Sequence, residues 1–263
     1  MANLAAVRAV VFDMDGVLWR GNEVIPRAPV FLDDLRARGI PFALATNNSG
    51  QTPLDYVEKL QRLGLGAIPP ERIITSGVVT VRFLKAHLPA GAKVYIVGGD
   101  GLRALVQEAG FTLADTEVAA VVAGIDRQFT YDKAWRATRL IRGGALFIGT
   151  NPDLTFPMPD GPSPGAGSIL AMLAAASGQQ PLVMGKPAPH MFEAALDVLG
   201  TAPADTLMIG DRLDTDIAGA QQAGLQTALV LTGIETRETI AGNPNLGDAL
   251  VVDDLGELQR LVD

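Results

Sequence analysis

Short apolar segments alternate with amphipathic helical segments along nearly the whole chain, and this alternation restricts the possible folds more than any other feature. The apolar segments, in chain order, are Ala6–Phe12, Ile40–Ala45, Arg72–Thr75, Lys93–Val97, Ala119–Ala123, Leu146–Ile148, Thr206–Ile209, Gln226–Leu231 and Ala249–Val252. The helical patterns between them are Ala28–Gly39, Thr52–Leu63, Leu102–Ala109, Tyr131–Ile141, Ser168–Ser177, Pro189–Leu199 and Thr215–Ala223. Strands separated by helices form βαβ units, so the sequence predicts an α/β fold with a Rossmann-like, doubly wound parallel sheet.

The composition excludes several classes of function. The chain has 21 Lys and Arg against 29 Asp and Glu, a formal net charge of −8, which argues against a nucleic-acid partner. The absence of Cys excludes disulfides, thiolate metal sites and Cys nucleophiles. With only His87 and His190 available, we expect any bound metal to have oxygen ligands, as Mg²⁺ does.

Nothing in the sequence indicates a membrane partner. The apolar start, Met1–Val11, is too short to span a bilayer, and it lacks the cleavage pattern of a signal peptide. We therefore expect a cytoplasmic protein.

Polar side chains follow three of the predicted strands at the point where each strand ends. They are Asp13 and Asp15 after the first strand, Thr46 and Asn47 after the second, and Asp211, Asp214 and Asp216 after Thr206–Ile209. The carboxyl ends of parallel strands meet at one edge of a sheet, where ligands bind. One acid-rich turn could be no more than a capped, solvated turn. Three at the same edge predict a carboxylate-lined site for a divalent cation.

Lys186, in Met184-Gly185-Lys186-Pro187, lies between a predicted strand and a helix start. It is not the lysine of a P-loop, because Pro187 stands where that motif has Ser or Thr. Its positive charge could neutralise the acidic cluster or bind a phosphate.

These segments together resemble the four motifs of the haloacid dehalogenase (HAD) superfamily of phosphatases. The motifs are Asp-x-Asp-Gly at 13–16, Thr-Asn at 46–47, Lys-Pro at 186–187 and Gly-Asp-x-x-x-x-Asp at 210–216. Three further segments, at 76–80, 149–153 and 164–168, resemble the NagD-like and 4-nitrophenylphosphatase-like subgroup, which includes phosphoglycolate phosphatases.

The resemblance also implies a domain organisation. The subgroup carries a C2-type cap inserted between its second and third motifs, and 140 residues separate Thr46 from Lys186, enough for an inserted domain. We expect a catalytic core at residues 1–80 and 182–263, a cap at 81–181, and possible homodimerisation through the cap. Residues 151–167, which hold five of the 17 prolines, are predicted to form a long irregular loop, either specificity-determining or a structural crossover.

Residue roles follow from the resemblance. It implies that Asp13 is the nucleophile and Asp15 the general acid and base, while Thr46, Asn47 and Lys186 bind the phosphoryl group. It implies Mg²⁺ held by Asp13, the carbonyl of Asp15 and Asp211, with Asp216 ordering metal waters or Lys186. The implied activity is hydrolysis of small phosphate monoesters, of the sugar-phosphate, nucleotide or phosphoglycolate type, through an aspartyl-phosphate. Because HAD dehalogenases lack an Asp at position 15 and P-type ATPases have Thr, Asp15 favours phosphate ester hydrolysis or phosphomutase chemistry.

Two alternatives remain open at this point. The chain could be a catalytically silent binding or regulatory protein with the HAD fold. Gly99-Asp100-Gly101-Leu102-Arg103-Ala104 also matches a dinucleotide-binding fingerprint, but the acid expected about 20 residues further on is not well placed. We expect His87 and His190 to be structural, and the sequence does not separate a core from a rim position for Trp19 and Trp135.

Overall fold

A computed structural model describes residues 7–158 and 161–262. Ala6 of the first predicted strand, residues 159 and 160 of the predicted loop, and Asp263 lie outside the described residues. The strands, in chain order, are β1 (Ala9–Phe12), β2 (Trp19–Arg20), β3 (Glu23–Val24), β4 (Phe42–Thr46), β5 (Ile73–Thr75), β6 (Lys93–Val97), β7 (Thr112–Leu113), β8 (Ala120–Ala123), β9 (Leu146–Gly149), β10 (Thr155–Met158), β11 (Gly161–Pro164), β12 (Leu182–Val183), β13 (Thr206–Gly210), β14 (Gln226–Val230) and β15 (Leu250–Val252). The α-helices are α1 (Ala28–Ala37), α2 (Pro53–Arg62), α3 (Ser76–His87), α4 (Asp100–Glu108), α5 (Tyr131–Arg142), α6 (Ala166–Ser177), α7 (Pro189–Leu199), α8 (Ala218–Gln222), α9 (Arg237–Ile240) and α10 (Leu255–Val262).

The predicted α/β class is confirmed. The chain divides into two compact units, and the first holds the described residues up to Thr46, Pro53–Ile74 and those from Lys186 onward. Its six-stranded sheet has the order β15-β14-β13-β1-β4-β5. Strand β1 pairs in parallel with both β13 and β4, so that Phe12 lies opposite Ile209 on one side and Leu44 on the other. The carboxyl ends of these three strands therefore lie side by side.

A buried apolar cluster underlies this sheet. Phe12 has no exposed surface and makes edge-to-face contacts with Phe31 of α1 and Phe42 of β4, each with ring centroids 5.9 Å apart. Such aromatic pairs stabilise a core by about 1 kcal/mol beyond the area they bury. Strand β1 is thus anchored directly before its polar end.

The helix boundaries follow local chemistry. Helix α7 begins at Pro189, whose missing N–H costs nothing in the first turn, and ends before Gly200, which has a φ of +66°. Helix α1 ends at Ala37, and Gly39, with a φ of +66°, turns the chain two residues later in the same way. The connections after these helices lead into the starts of β4 and β13, and so lie at the edge of the sheet opposite the carboxyl ends of its strands.

The second unit comprises Asn47–Thr52 and Thr75–Gly185. Its five-stranded sheet has the order β12-β9-β8-β6-β7, and the pairs within it are parallel. Val97 and Val121 are buried in its core together with Leu173 of α6. The assignment of residues 81–181 as a cap stays a prediction. In the part of the chain that the structure describes, no helix is both long enough and apolar enough to cross a membrane.

Two local predictions were wrong. The segment 151–167 is not wholly irregular, because β10 and β11 form an antiparallel ribbon in which Phe156 lies opposite Ser163. A two-stranded ribbon has only edge strands, and edge strands tolerate proline. The helix expected at Thr215–Ala223 begins earlier, with a π-helical turn at Leu213–Ile217 that leads into α8.

Candidate active site

The first polar turn continues directly from β1. The backbone N–H of Asp13 donates to the carbonyl of Ile209 at 2.8 Å, so Asp13 keeps the alignment of the sheet beyond the last residue of the strand. Gly16 then turns the chain at a φ of +85°, a conformation that favours glycine. The Asp13 side chain is 14% exposed, so it is mostly withdrawn from water without being sealed off.

Lys186 lies at the centre of the acidic cluster. Its ammonium donates to Asp13 Oδ1 at 2.5 Å and to the carbonyl of Ala45 at 3.0 Å, and it lies 2.7 Å from Asp216 Oδ1. Lys186 is 1% exposed, which is rare for a lysine unless its charge is paired. The structure thus brings together residues that lie after β1, after β12 and in the π-helical turn.

Asp216 is held by the turn in which it lies. Its Oδ2 accepts hydrogen bonds from the backbone N–H groups of Asp211 and Arg212, both at 3.2 Å. A Cβ on Gly210 would overlap the Asp216 side chain, so glycine is required there. Both oxygens of Asp216 are therefore engaged within the protein, which suits a supporting position better than that of a metal ligand.

The carboxylate of Asp211 is packed against two glycines. A Cβ on Gly16 or on Gly233 would overlap that carboxylate, and Asp211 Oδ2 accepts the N–H of Ile234 at 2.9 Å. Thr232 Oγ1 donates to the carbonyl of Gly16 at 2.6 Å and links this loop to the first polar turn. The sequence reasoning missed Thr232 and Gly233, although the signal was available: they follow β14 at the same edge of the sheet.

The acidic cluster fits a divalent cation. Asp13, Asp211 and Asp216 each offer a carboxylate oxygen, and these atoms lie within 4.8 Å of one another. Asp13 and Asp216 share the ammonium of Lys186 between them, and buried uncompensated charge is costly. An all-oxygen donor set suits Mg²⁺ and other hard cations. Since Asp216 is engaged elsewhere, Asp13 and Asp211 are the better ligands.

The pKa shifts within the cluster also favour a bound cation. Burial raises the pKa of Asp13 well above its usual range; the charge of Lys186 lowers it, while Asp216 and Asp211 add to the increase. Burial, followed by the negative charge of Asp216, raises the pKa of Asp211 to about 7. Burial alone would lower the pKa of Lys186, but Asp13 and Asp216 raise it above its ordinary value. The lysine therefore stays charged, whereas the raised pKa values of Asp13 and Asp211 show that negative charge on these carboxyl groups is unfavourable without a further cation.

Asp15 stands apart from that cluster. It retains solvent access, and its Oδ1 accepts a hydrogen bond from the indole Nε1 of Trp19 at 2.8 Å. Desolvation by the surrounding protein raises the pKa of Asp15, while the charge of Lys59 and the Trp19 hydrogen bond lower it. An exposed carboxyl with a raised pKa is suited to carry a proton.

The two residues of the Thr-Asn motif belong to different units. Thr46 ends β4 and is buried in the first unit, directly after Ala45, whose carbonyl accepts from Lys186. Asn47 belongs to the second unit, where its Nδ2 donates to Asp153 Oδ2 at 3.1 Å and its carbonyl accepts from Ser76 Oγ at 2.6 Å. Its role in phosphate binding stays a prediction.

The remaining candidates have local structural roles. His87 stacks on Phe83, with ring centroids 3.9 Å apart, and His190 lies 3.5 Å from Glu193 on the same helix. A Cβ on Gly101 would overlap the carbonyl of Gly50, so packing explains this glycine of the dinucleotide-like segment. Asp100 places an acid in the first turn of α4, where a pyrophosphate would be repelled.

Comparison with known proteins gives consistent matches. Residues 10–112 match the family model described as haloacid dehalogenase-like hydrolase, and residues 183–258 match a HAD-hydrolase-like model. The dihydroxyacetone phosphatase of Corynebacterium glutamicum is 44% identical over 232 residues, which span 88% of this chain and 84% of that protein. The structure of a 4-nitrophenylphosphatase from Thermotoga maritima superposes with a TM-score of 0.93 at 31% identity, covering 99% of each chain. NagD from E. coli K-12 superposes with a TM-score of 0.88 at 32% identity, covering 98% of each chain.

Proposed function

Since this chain belongs to the haloacid dehalogenase-like hydrolase family, in its NagD-like subgroup, and is an enzyme of the phosphatase class, we propose that it hydrolyses small phosphate monoesters with Mg²⁺ through an aspartyl-phosphate. Among the sugar-phosphate, nucleotide and phosphoglycolate types, the identity to a dihydroxyacetone phosphatase favours sugar phosphates. The observation that carries the proposal is the buried constellation of Asp13, Asp211, Asp216 and Lys186 at the carboxyl end of the sheet.

In the first half-reaction a carboxylate oxygen of Asp13 attacks the phosphorus. The bond from phosphorus to the ester oxygen breaks, and the departing oxygen takes a proton from Asp15. Asp13 is then an acyl phosphate, and the alcohol leaves. A carboxylate nucleophile divides one difficult displacement into two easier ones.

In the second half-reaction Asp15, now ionised, takes a proton from water as that water attacks the phosphorus. The bond to Asp13 breaks, which regenerates its carboxylate and releases inorganic phosphate. Asp15 is protonated again and ready for the next ester, so one group acts as acid and then as base.

The charges of the site must allow an anionic nucleophile to approach an anionic ester. Asp13 and Asp211, with the carbonyl of Asp15, would hold Mg²⁺, which when bound offsets this repulsion and stabilises charge on the phosphoryl oxygens. Lys186, Thr46 and Asn47 would bind those oxygens, and Asp216 would keep Lys186 in place through their 2.7 Å contact.

The proposal is tested by trapping the intermediate. Wild-type enzyme mixed with phosphorus-labelled ester and quenched in acid should retain label, whereas Asp13→Asn should retain none and lose at least about 10³-fold in kcat. Asp33→Asn is the matched control, since Asp33 is an exposed residue of α1 paired with Arg36. Full turnover by Asp13→Asn would overturn the assignment. The metal requirement would be overturned if chelation left the turnover rate unchanged and added Mg²⁺ did not increase it.

The same assays decide between this function and its alternatives. A catalytically silent protein would release no phosphate from any member of a panel of sugar, nucleotide and glycolate phosphates. A dinucleotide-binding protein would change the fluorescence of NADH on titration. We expect phosphate release and no change in NADH fluorescence.

A further inference from the structure

A hydrogen bond from a fully buried tryptophan reaches the carboxylate of Asp15. The Nε1 of Trp19 donates to Asp15 Oδ1 at 2.8 Å, and Trp19 has no exposed surface although Asp15 itself is exposed. An exposed Asp side chain would otherwise sample several rotamers. A donor fixed in the core restricts it to the orientation that keeps this bond.

Trp19 is itself held from several directions. It pairs with Val24 across the β2–β3 hairpin, and its carbonyl accepts the N–H of Gly16 at 2.7 Å. Its ring stacks on Tyr56 of α2, with centroids 6.4 Å apart and an interplanar angle of 22°, and Tyr56 is only 1% exposed. The indole N–H is therefore preorganised before any substrate binds.

Lys59 lies on the face of the same indole. Its ammonium is 4.3 Å from the centroid of the Trp19 ring, well within the range of a cation–π contact. Tyr56 and Lys59 are three residues apart on α2 and so share one face of that helix. A cation on the ring withdraws electron density from the indole and strengthens its N–H as a donor.

We propose that Trp19, supported by Lys59, is a positioning residue that orients Asp15 for proton transfer. The inference rests on the proposed function, in which Asp15 protonates the leaving oxygen. The hydrogen bond occupies Oδ1 and reserves Oδ2 as the oxygen that exchanges the proton. Trp19 and Lys59 act through Asp15 and do not contact the reacting atoms themselves.

The experiment compares two esters that differ in their need for a proton. The 4-nitrophenolate ion leaves without protonation, whereas the alkoxide of glycerol 3-phosphate requires it. Trp19→Phe keeps an apolar ring and removes the N–H. We expect it to lower kcat for glycerol 3-phosphate by roughly tenfold or more, about the value of one hydrogen bond to a charged group, and to change kcat for 4-nitrophenyl phosphate by less than about threefold.

Two further variants make the comparison decisive. Lys59→Met retains Trp19 and the aliphatic stem, and we expect a smaller loss that is again confined to glycerol 3-phosphate. Trp135→Phe removes the indole of an exposed tryptophan in the second unit. It should leave kcat unchanged for both esters. If Trp19→Phe does not fold, as judged by circular dichroism, the proposal is tested by Lys59→Met alone, through its kcat values for the two esters.

Each outcome has one meaning. An equal loss for both esters, or no loss, overturns the positioning role of Trp19. Asp15→Asn, measured in parallel, separates this failure from that of the proposed function. If Asp15→Asn loses glycerol 3-phosphate turnover while Trp19→Phe does not, only the inference fails; if Asp15→Asn is fully active, the acid assignment itself fails.

Discussion

The ammonium of Lys186 lies 2.5 Å from Oδ1 of Asp13, although 173 positions separate the two residues in the chain and they follow strands of different sheets, β12 and β1. The carbonyl of Ala45 and the carboxylate of Asp216 also contact that ammonium. A buried charge is costly when it loses any of the oxygen partners that compensate it. Lys186 therefore contributes both to the folded state and to the site.

Replacing Lys186 by Met should destabilise the metal-free protein. The substitution keeps the apolar stem and leaves Asp13 and Asp216 without their cation, and breaking a buried pair typically costs about 3 kcal/mol or more. Urea denaturation in the presence of chelator measures the change. Lys93→Met is the matched control, because the exposed pair of Lys93 and Glu117 should contribute less than about 1 kcal/mol. Equal losses in the two variants would contradict the structural importance of the buried pair.

Binding of Mg²⁺ should strengthen as the pH rises. Burial, together with the charge of Asp216, raises the pKa of Asp211 to about 7, so below that pH a proton occupies the group that the metal needs. A proton and a metal that compete for one carboxylate give an affinity that rises about tenfold per pH unit below the pKa and then levels off. Calorimetric titration with Mg²⁺ between about pH 5 and pH 9 measures this slope. Asp211→Asn should bind weakly at every pH, and a wild-type affinity independent of pH would refute the prediction.

The sequence predicted which residues would come together because the candidate site depends on strand ends. The alternation of apolar and helical segments predicted the parallel sheet, and a parallel sheet must bring the residues after β1, β4 and β13 to one edge. Asp13, Asp211 and Asp216 do meet there. Lys186 joins them although it follows β12 of the other sheet, so the strand-end argument alone does not explain its position. The roles assigned to these residues by resemblance stay proposals.

What sequence reasoning missed depends on tertiary contacts. Strands β2 and β3 are two residues long, too short to show a period of two, so Trp19 could not be recognised as buried. Trp135 has the same residue type but is 56% exposed on α5. The π-helical turn was missed for a different reason: the carboxylate of Asp216 accepts from the backbone N–H groups of Asp211 and Arg212, four to five residues earlier, and helix propensities do not include such side-chain to backbone hydrogen bonds.

Adding one methyl group at Gly233 should disturb the metal site more than the fold. Its Cβ would overlap the carboxylate of Asp211, so that carboxylate would have to shift from its present position. We expect Gly233→Ala to weaken Mg²⁺ binding at least about tenfold, since metal affinity depends on ligand placement within a few tenths of an ångström. Gly99→Ala is the matched control, because the nearest atom to its Cβ is 3.8 Å away. Unchanged Mg²⁺ affinity in Gly233→Ala would show that the Asp211 carboxylate can shift without loss of the ligand.

The hydroxyl of Thr46 should contribute to binding the phosphoryl group. Thr46 is 5% exposed at the end of β4, and Thr46→Val keeps its shape while removing the hydroxyl. Loss of one preorganised donor to developing phosphoryl charge typically costs roughly 10²-fold in kcat, and we expect a loss of that order for 4-nitrophenyl phosphate. Inhibition by inorganic phosphate, measured on the same samples, should weaken in parallel, and Thr46→Ser should restore both. If Thr46→Val keeps wild-type kcat and phosphate inhibition, Thr46 is a packing residue of the strand end and its hydroxyl does not bind the phosphoryl group.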